Sequence, residues 1–184
     1  ENGILIKSGE SLETAHKVTA VVFDKTGTLT KGEPDVTDIV IAAPFAQNDV
    51  LRWAAGAEKS SEHPLAAAVV RKARELNIEP PSPENFQALK GLGVEASVEG
   101  RRVILGNAKL LADHGVHTDP LIGAAEAFAA DGKTPVFIAV DGRLAGLIAI
   151  ADTLKEGSAA AVGRLKKLGL IVIMLTGDNR KTAG

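Results

Sequence analysis

Two segments of the chain are almost wholly apolar. Val18 to Phe23 (VTAVVF) and Leu170 to Leu175 are rich in β-branched residues, the pattern of strands buried on both faces of a parallel sheet. The first ends at Asp24 and the second at Thr176-Gly177-Asp178. Between them the pattern changes. Asp35 to Ala42 alternates as a strand, and Asn48 to Glu58 reads as a helix with Asn48 as N-cap. A second helix runs from Pro64 to Leu76, with Leu65, Ala68, Val69, Lys72 and Leu76 at helical spacing. Strands with turns at Gly91-Leu92-Gly93 and Glu99-Gly100 follow from Phe86 to Gly106, then helical stretches at Ala108–His114 and Asp119–Ala130. Thr134–Val140 and Leu144–Ile150 flank Asp141-Gly142, a strong hairpin signal. A helix over Glu156–Leu168 leads into the second apolar strand.

The arrangement predicts an α/β chain: an open parallel sheet into which a separate α+β domain, built on an antiparallel sheet, is inserted. The sheet domain takes residues 1–34 and 151–184, and the insert residues 35–150. Lys31-Gly32-Glu33-Pro34 reads as a punctuating turn and linker, with 150–152 as the return. The opening residues lack a Met, and the last ones stop at the start of a helix, so the chain reads as a piece of something larger.

Composition removes several classes. At 184 residues with 45% hydrophobic and 24% charged, the chain is globular rather than disordered. A net charge of −2, from 21 basic and 23 acidic residues, argues against nucleic acid as a partner. The absence of Cys excludes disulfides and a thiolate nucleophile. No apolar run reaches the roughly 20 residues that cross a bilayer.

The chemistry concentrates at the strand ends, where parallel sheets hold their ligands. Asp24-Lys25-Thr26-Gly27-Thr28-Leu29-Thr30 directly follows the first apolar strand. A carboxylate there can attack a phosphoryl group and split a hydrolysis into two steps. Gly27 allows a tight turn, and the hydroxyls of Thr26 and Thr28 can donate to phosphate oxygens. A lone Asp at a strand end more often caps a turn, but the heptapeptide DKTGTLT resembles the phosphorylation motif of the P-type ATPases, a branch of the haloacid dehalogenase superfamily. The resemblance implies an aspartyl-phosphate on Asp24, with Lys25, Thr26, Thr28, Thr176, Gly177 and Asp178 shaping the same catalytic site and Mg²⁺ held at Asp24 and Thr26. Most superfamily phosphatases carry a second Asp two positions after the nucleophile. Thr26 stands there instead, a poor base at neutral pH, so an acyl-phosphate would persist.

Inside the insert, Ser61-Glu62-His63-Pro64-Leu65 resembles the His-Pro motif of the heavy-metal branch. A Glu before it (Glu58), a Gly-x-Gly turn (Gly91, Gly93) and a later Gly-Asn (Gly106, Asn107) occur in that branch's order. The resemblance implies an ATP pocket formed by Glu58, Ser61, Glu62, His63, Gly91, Gly93, Gly106 and Asn107. His63 would stack on adenine, with glycines where the nucleotide nears the backbone. By itself, a His before a helix is more often a cap.

SEHPL, LETAHK and TGDNRKTA look more like copper or silver pumps than zinc, cadmium or lead pumps, and Asp152-Thr153-Leu154-Lys155 looks like the re-entry into the phosphorylation domain. The implied parent is a membrane protein whose transmembrane, actuator and metal-binding domains are this segment's partners, and the segment lies at the cytoplasmic face. The transported metal has no soft-ligand site here: the sole Met, Met174, sits in a predicted strand, and His114 and His117 read as solvated. Two other readings stand beside this one, a soluble superfamily phosphatase and a nucleotide-binding module without chemistry.

Overall fold

The middle of the chain forms one sheet whose central strands are apolar on both sides. The computed structural model describes residues 8–175, excepting the side chains of residues 11 and 12. These divide into two compact units, one made of the chain up to Gly32 together with Leu154 onward, the other of Glu33–Thr153. The expected parallel sheet and inserted antiparallel sheet are both present.

In the larger unit the strands are β2 (Thr30–Ile41), β3 (Glu84–Leu89), β4 (Gly93–Val98), β5 (Arg101–Gly106), β6 (Thr134–Val140) and β7 (Arg143–Leu154). Their order across the sheet is β2-β7-β6-β5-β4-β3, with the pairs from β3 to β7 antiparallel. Two helices, α2 (Gln47–Glu58) and α3 (Pro64–Glu75), cover one face. Val50, Ala54, Val69 and Ala73 from them pack with Val98, Val103, Leu105, Ile138, Ile148 and Ile150. The opposite face carries α4 (Ala108–Asp113) and α5 (Asp119–Ala130), whose Leu110, Leu111 and Leu121 meet Ile104, Phe137, Ala139 and Leu147. Residues alternate between the two cores along β5, β6 and β7, which is why these strands look continuously apolar in sequence. Both predicted hairpins form: Glu99-Gly100 and Asp141-Gly142 have positive φ at both positions (+52 and +76, +50 and +74).

The smaller unit holds α1 (Gly9–His16), β1 (Ala20–Asp24), α6 (Ser158–Lys167) and β8 (Ile171–Leu175). β1 and β8 pair in parallel, and their register sets Asp24 beside Leu175.

Four expectations are corrected. Lys31–Pro34 is not a turn but part of β2, an edge strand whose outer side tolerates Pro34. Asn48 lies inside α2, and the N-cap is Ala46. The strands β1 and β8 are parallel as expected but not buried: Val22 is 51% exposed and Ile171 62%. Among the described residues, a two-stranded sheet with α6 against it leaves apolar surface uncovered. His114 is not solvated. Its Nδ1 lies 2.9 Å from the Leu110 carbonyl oxygen and its Nε2 3.1 Å from a Glu95 carboxylate oxygen.

Candidate functional site

Asp24 ends β1 with its side chain exposed, and the chain then folds into a tight loop over Lys25–Leu29. Thr26 is extended (φ −74, ψ 124) and Gly27 takes φ +76, a conformation that favours glycine. Thr30, which is buried, closes the loop: the Gly27 N–H donates to its hydroxyl oxygen at 3.2 Å, and that hydroxyl donates to the Lys25 carbonyl at 3.0 Å. The returning chain clamps the same loop. The Lys155 N–H and the Ser158 hydroxyl both donate to the Leu29 carbonyl, at 2.9 and 2.8 Å, and the Lys155 ammonium donates to the Gly27 carbonyl. An exposed carboxylate thus stands at the head of a rigidly tied loop whose Thr26 and Thr28 remain at the surface. Thr176, Gly177 and Asp178 lie outside the described residues. Leu175, the residue before them, is level with Asp24.

The larger unit contains a cleft of about 480 Å³ at one end of the strands of its sheet. Its walls come from the end of α2, the start of α3, the β3–β4 turn, the end of β5 and the strands β6 and β7. Seven of the expected pocket residues line it together: Glu58, Ser61, His63, Gly91, Gly93, Gly106 and Asn107. Glu62 is exposed and is not among the lining residues.

Each of these side chains has a definite local job. His63 is the N-cap of α3, its Nδ1 accepting from the Leu65 N–H at 3.2 Å. The cap fixes the ring at the cleft wall, so capping and lining are two uses of one side chain. Asn107 caps α4 by accepting from the Leu110 N–H at 2.9 Å, while its amide nitrogen donates to the Gly91 carbonyl at 3.2 Å. Gly93 and Gly106 face each other across β4 and β5. A Cβ on Gly93 would come within 2.0 Å of the Leu105 carbonyl oxygen, and one on Gly106 within 2.2 Å of that of Leu92. These glycines are therefore required by the backbone's own close approach.

Glu58 is the electrostatic feature of the cleft. Its side chain is 9% exposed, and its Oε2 is buried without a hydrogen-bond partner among the described residues. Burial pushes its carboxyl up from 4.5 to about 7, against the opposing pull of a hydrogen bond with Ser61. An unsatisfied acceptor in an open apolar cleft suits a ligand that brings its own N–H donor. The apolar walls come from Leu65, Val69, Val136 and Ile150.

A family model for haloacid dehalogenase-like hydrolases matches residues 18–184, nearly the whole chain. The chain belongs to the haloacid dehalogenase-like hydrolases. Among its relatives, the copper-exporting P-type ATPase of Bacillus subtilis (strain 168) is 44% identical over 183 residues, which is 100% of this chain and 23% of that protein. The chain spans about a quarter of the length of the curated relatives it matches. A crystal structure of a zinc-transporting PIB-type ATPase in its E2.Pi state matches with a TM-score of 0.87 at 39% identity, covering 97% of this chain and 29% of that one. The N-domain of HMA6, a copper-transporting P-type ATPase, matches 65% of this chain and 99% of its own at 30% identity and a TM-score of 0.55.

Within this hydrolase fold, several supporting residues escape sequence reading. Thr30, Lys155 and Ser158 hold the Asp24 loop. Only the last letter of DKTGTLT hinted at the first, and the sequence placed the other two in the same domain without showing that they hold this loop. Lys90, Thr134, Pro135, Val136 and Ile150 enter the cleft from separate strands and turns that only the folded sheet brings together.

Proposed function

We propose that this chain is the ATP-binding and phosphorylation region of a copper(I)-exporting P-type ATPase. ATP binds in the cleft of the larger unit, and its γ-phosphate passes to Asp24. A carboxylate oxygen of Asp24 attacks the γ-phosphorus, the bond to the β-phosphate oxygen breaks, and ADP leaves with that electron pair. The single observation that carries the reading is DKTGTLT, headed by an exposed Asp at the end of a parallel strand, in a chain 44% identical throughout its length to a copper-exporting P-type ATPase.

The cleft supports the nucleotide half of the reading. Glu58 offers an acceptor suited to an exocyclic amino group, and His63 offers a flat ring held by its cap. Hard oxygen donors at Asp24 and Thr26 suit Mg²⁺, which binds through one or two carboxylates with phosphate oxygens and waters completing its shell. Bound there, Mg²⁺ would neutralise charge on the transferring phosphoryl group. Thr26 cannot act as the base for hydrolysis, so the acyl-phosphate lasts long enough to drive a conformational cycle. No helix among the described residues is long and apolar enough to cross a membrane. The transmembrane, actuator and metal-binding parts belong to the rest of the parent, with this segment at its cytoplasmic face.

The test is phosphoenzyme formation from γ-labelled ATP in the full-length parent. Wild type should give an acid-stable, hydroxylamine-sensitive label stimulated by Cu⁺ or Ag⁺. Asp24→Asn should abolish the label and leave ATP binding near normal. Label persisting in Asp24→Asn would sink the nucleophile, and stimulation by Zn²⁺ alone would sink the copper assignment.

A further inference from the structure

The cleft has two ends of opposite chemistry. Its deep end is formed by Glu58, 9% exposed, together with Val69, Leu105 and Ile150, each almost wholly buried. Its mouth is formed by exposed residues, among them His63, Lys90, Gly91 and Asn107. Among the described residues that line the cleft, Lys90 is the only Lys or Arg. It stands in the turn between β3 and β4, immediately before Gly91 at φ +72. Among the described residues Lys90 has no ion pair. The lysines that flank other lining residues in sequence are engaged elsewhere: Lys59 donates to the Pro80 carbonyl and Lys109 pairs with Asp113.

We propose that Lys90 receives the polyphosphate at the cleft mouth, and so sets both the direction of the bound nucleotide and its preference for di- and triphosphates. The inference rests on the nucleotide reading of the cleft given above. A buried carboxylate repels phosphate and accepts from a base amino group, so the base goes inward. The phosphates then leave past the mouth, where a single unpaired ammonium is available to them. An ammonium on a flexible stem at an exposed site acts as a point charge rather than a geometric fork. Its contribution is therefore modest, sensitive to salt, and proportional to ligand charge.

The experiment titrates the whole chain calorimetrically with ATP, ADP, AMP and adenosine, at low and high salt, in wild type, Lys90→Gln and Lys90→Arg. Lys90→Gln should weaken ATP about two- to five-fold at low salt, the scale of an exposed charge pair, and leave adenosine unchanged. The loss should shrink at high salt. Lys90→Arg should keep most of the preference, and all three proteins should melt at the same temperature. Equal weakening of ATP and adenosine, or unchanged ATP affinity in Lys90→Gln, would overturn the role of Lys90 while leaving the nucleotide cleft standing. Failure of the wild type to bind any of the four ligands would overturn the cleft reading itself.

Discussion

Replacing Glu58 by Gln should stabilise the protein at high pH and leave it nearly unchanged at low pH. Burial raises the carboxyl from 4.5 to about 7, so the folded state holds its proton more tightly than the unfolded chain does. Below pH 4.5 both states are protonated and Glu58 costs nothing through ionisation. Between pH 4.5 and 7 the unfolded state has lost its proton and the folded state has not, so stability falls as pH rises. Above pH 7 both are ionised and the full penalty, about 3 kcal/mol, is in place. That is a large share of the roughly 5–15 kcal/mol that holds a domain folded. Gln keeps the shape and cannot ionise, so its ionisation advantage over wild type should grow from about 1 kcal/mol at pH 5 to about 3 kcal/mol at pH 8. Urea unfolding of both proteins at pH 5, 6, 7 and 8 measures the difference directly, since every other titrating group is common to the two. The same substitution should weaken ATP binding several-fold, because a charge-assisted acceptor becomes a neutral one. A difference between the two proteins that does not vary with pH would refute the reasoning. So would a glutamine variant less stable at pH 8, which would mean the carboxylate is ionised and well solvated in the folded protein.

The two uses of His63 should come apart under substitution. His63→Asn keeps a capping acceptor and loses the ring, so ATP affinity should fall about five-fold or more in calorimetry while the melting temperature holds. His63→Phe should do the reverse, costing about 1 kcal/mol in denaturant unfolding and retaining part of the affinity. Unchanged ATP affinity in His63→Asn would assign the histidine to capping alone. Gly106→Ala drives a methyl to 2.2 Å from the Leu92 carbonyl oxygen and 2.7 Å from Leu110 Cδ2, and should cost more than about 3 kcal/mol or prevent folding. Gly91→Ala meets open space at φ +72 and should cost only about 1–2 kcal/mol by thermal melting.

Much of this protein is local and was legible before any folding. The hairpins at Glu99-Gly100 and Asp141-Gly142 follow from residues that accept positive φ. The start of α3 follows from Pro64, and the place of Asp24 from an apolar strand that stops there. The resemblance to the haloacid dehalogenase superfamily was legible as well, because DKTGTLT depends only on spacing along the chain.

What it could not determine was long-range. VTAVVF reads as a buried strand, yet a strand's environment depends on which elements cover it, and among the described residues α6 and one partner strand leave Val22 half exposed. Lys31–Pro34 read as a turn from composition, but edge pairing lets a strand carry both a Gly and a Pro. The glycines looked like openings for a ligand until the pairing of β4 with β5 set Gly93 against Gly106, a constraint set by register. The clamp of Lys155 and Ser158 on the Asp24 loop, and the unpaired oxygen of Glu58, exist only once distant segments meet. Residue type supplies the chemical groups, but burial and pairing fix their charge and partners, and those belong to the tertiary structure.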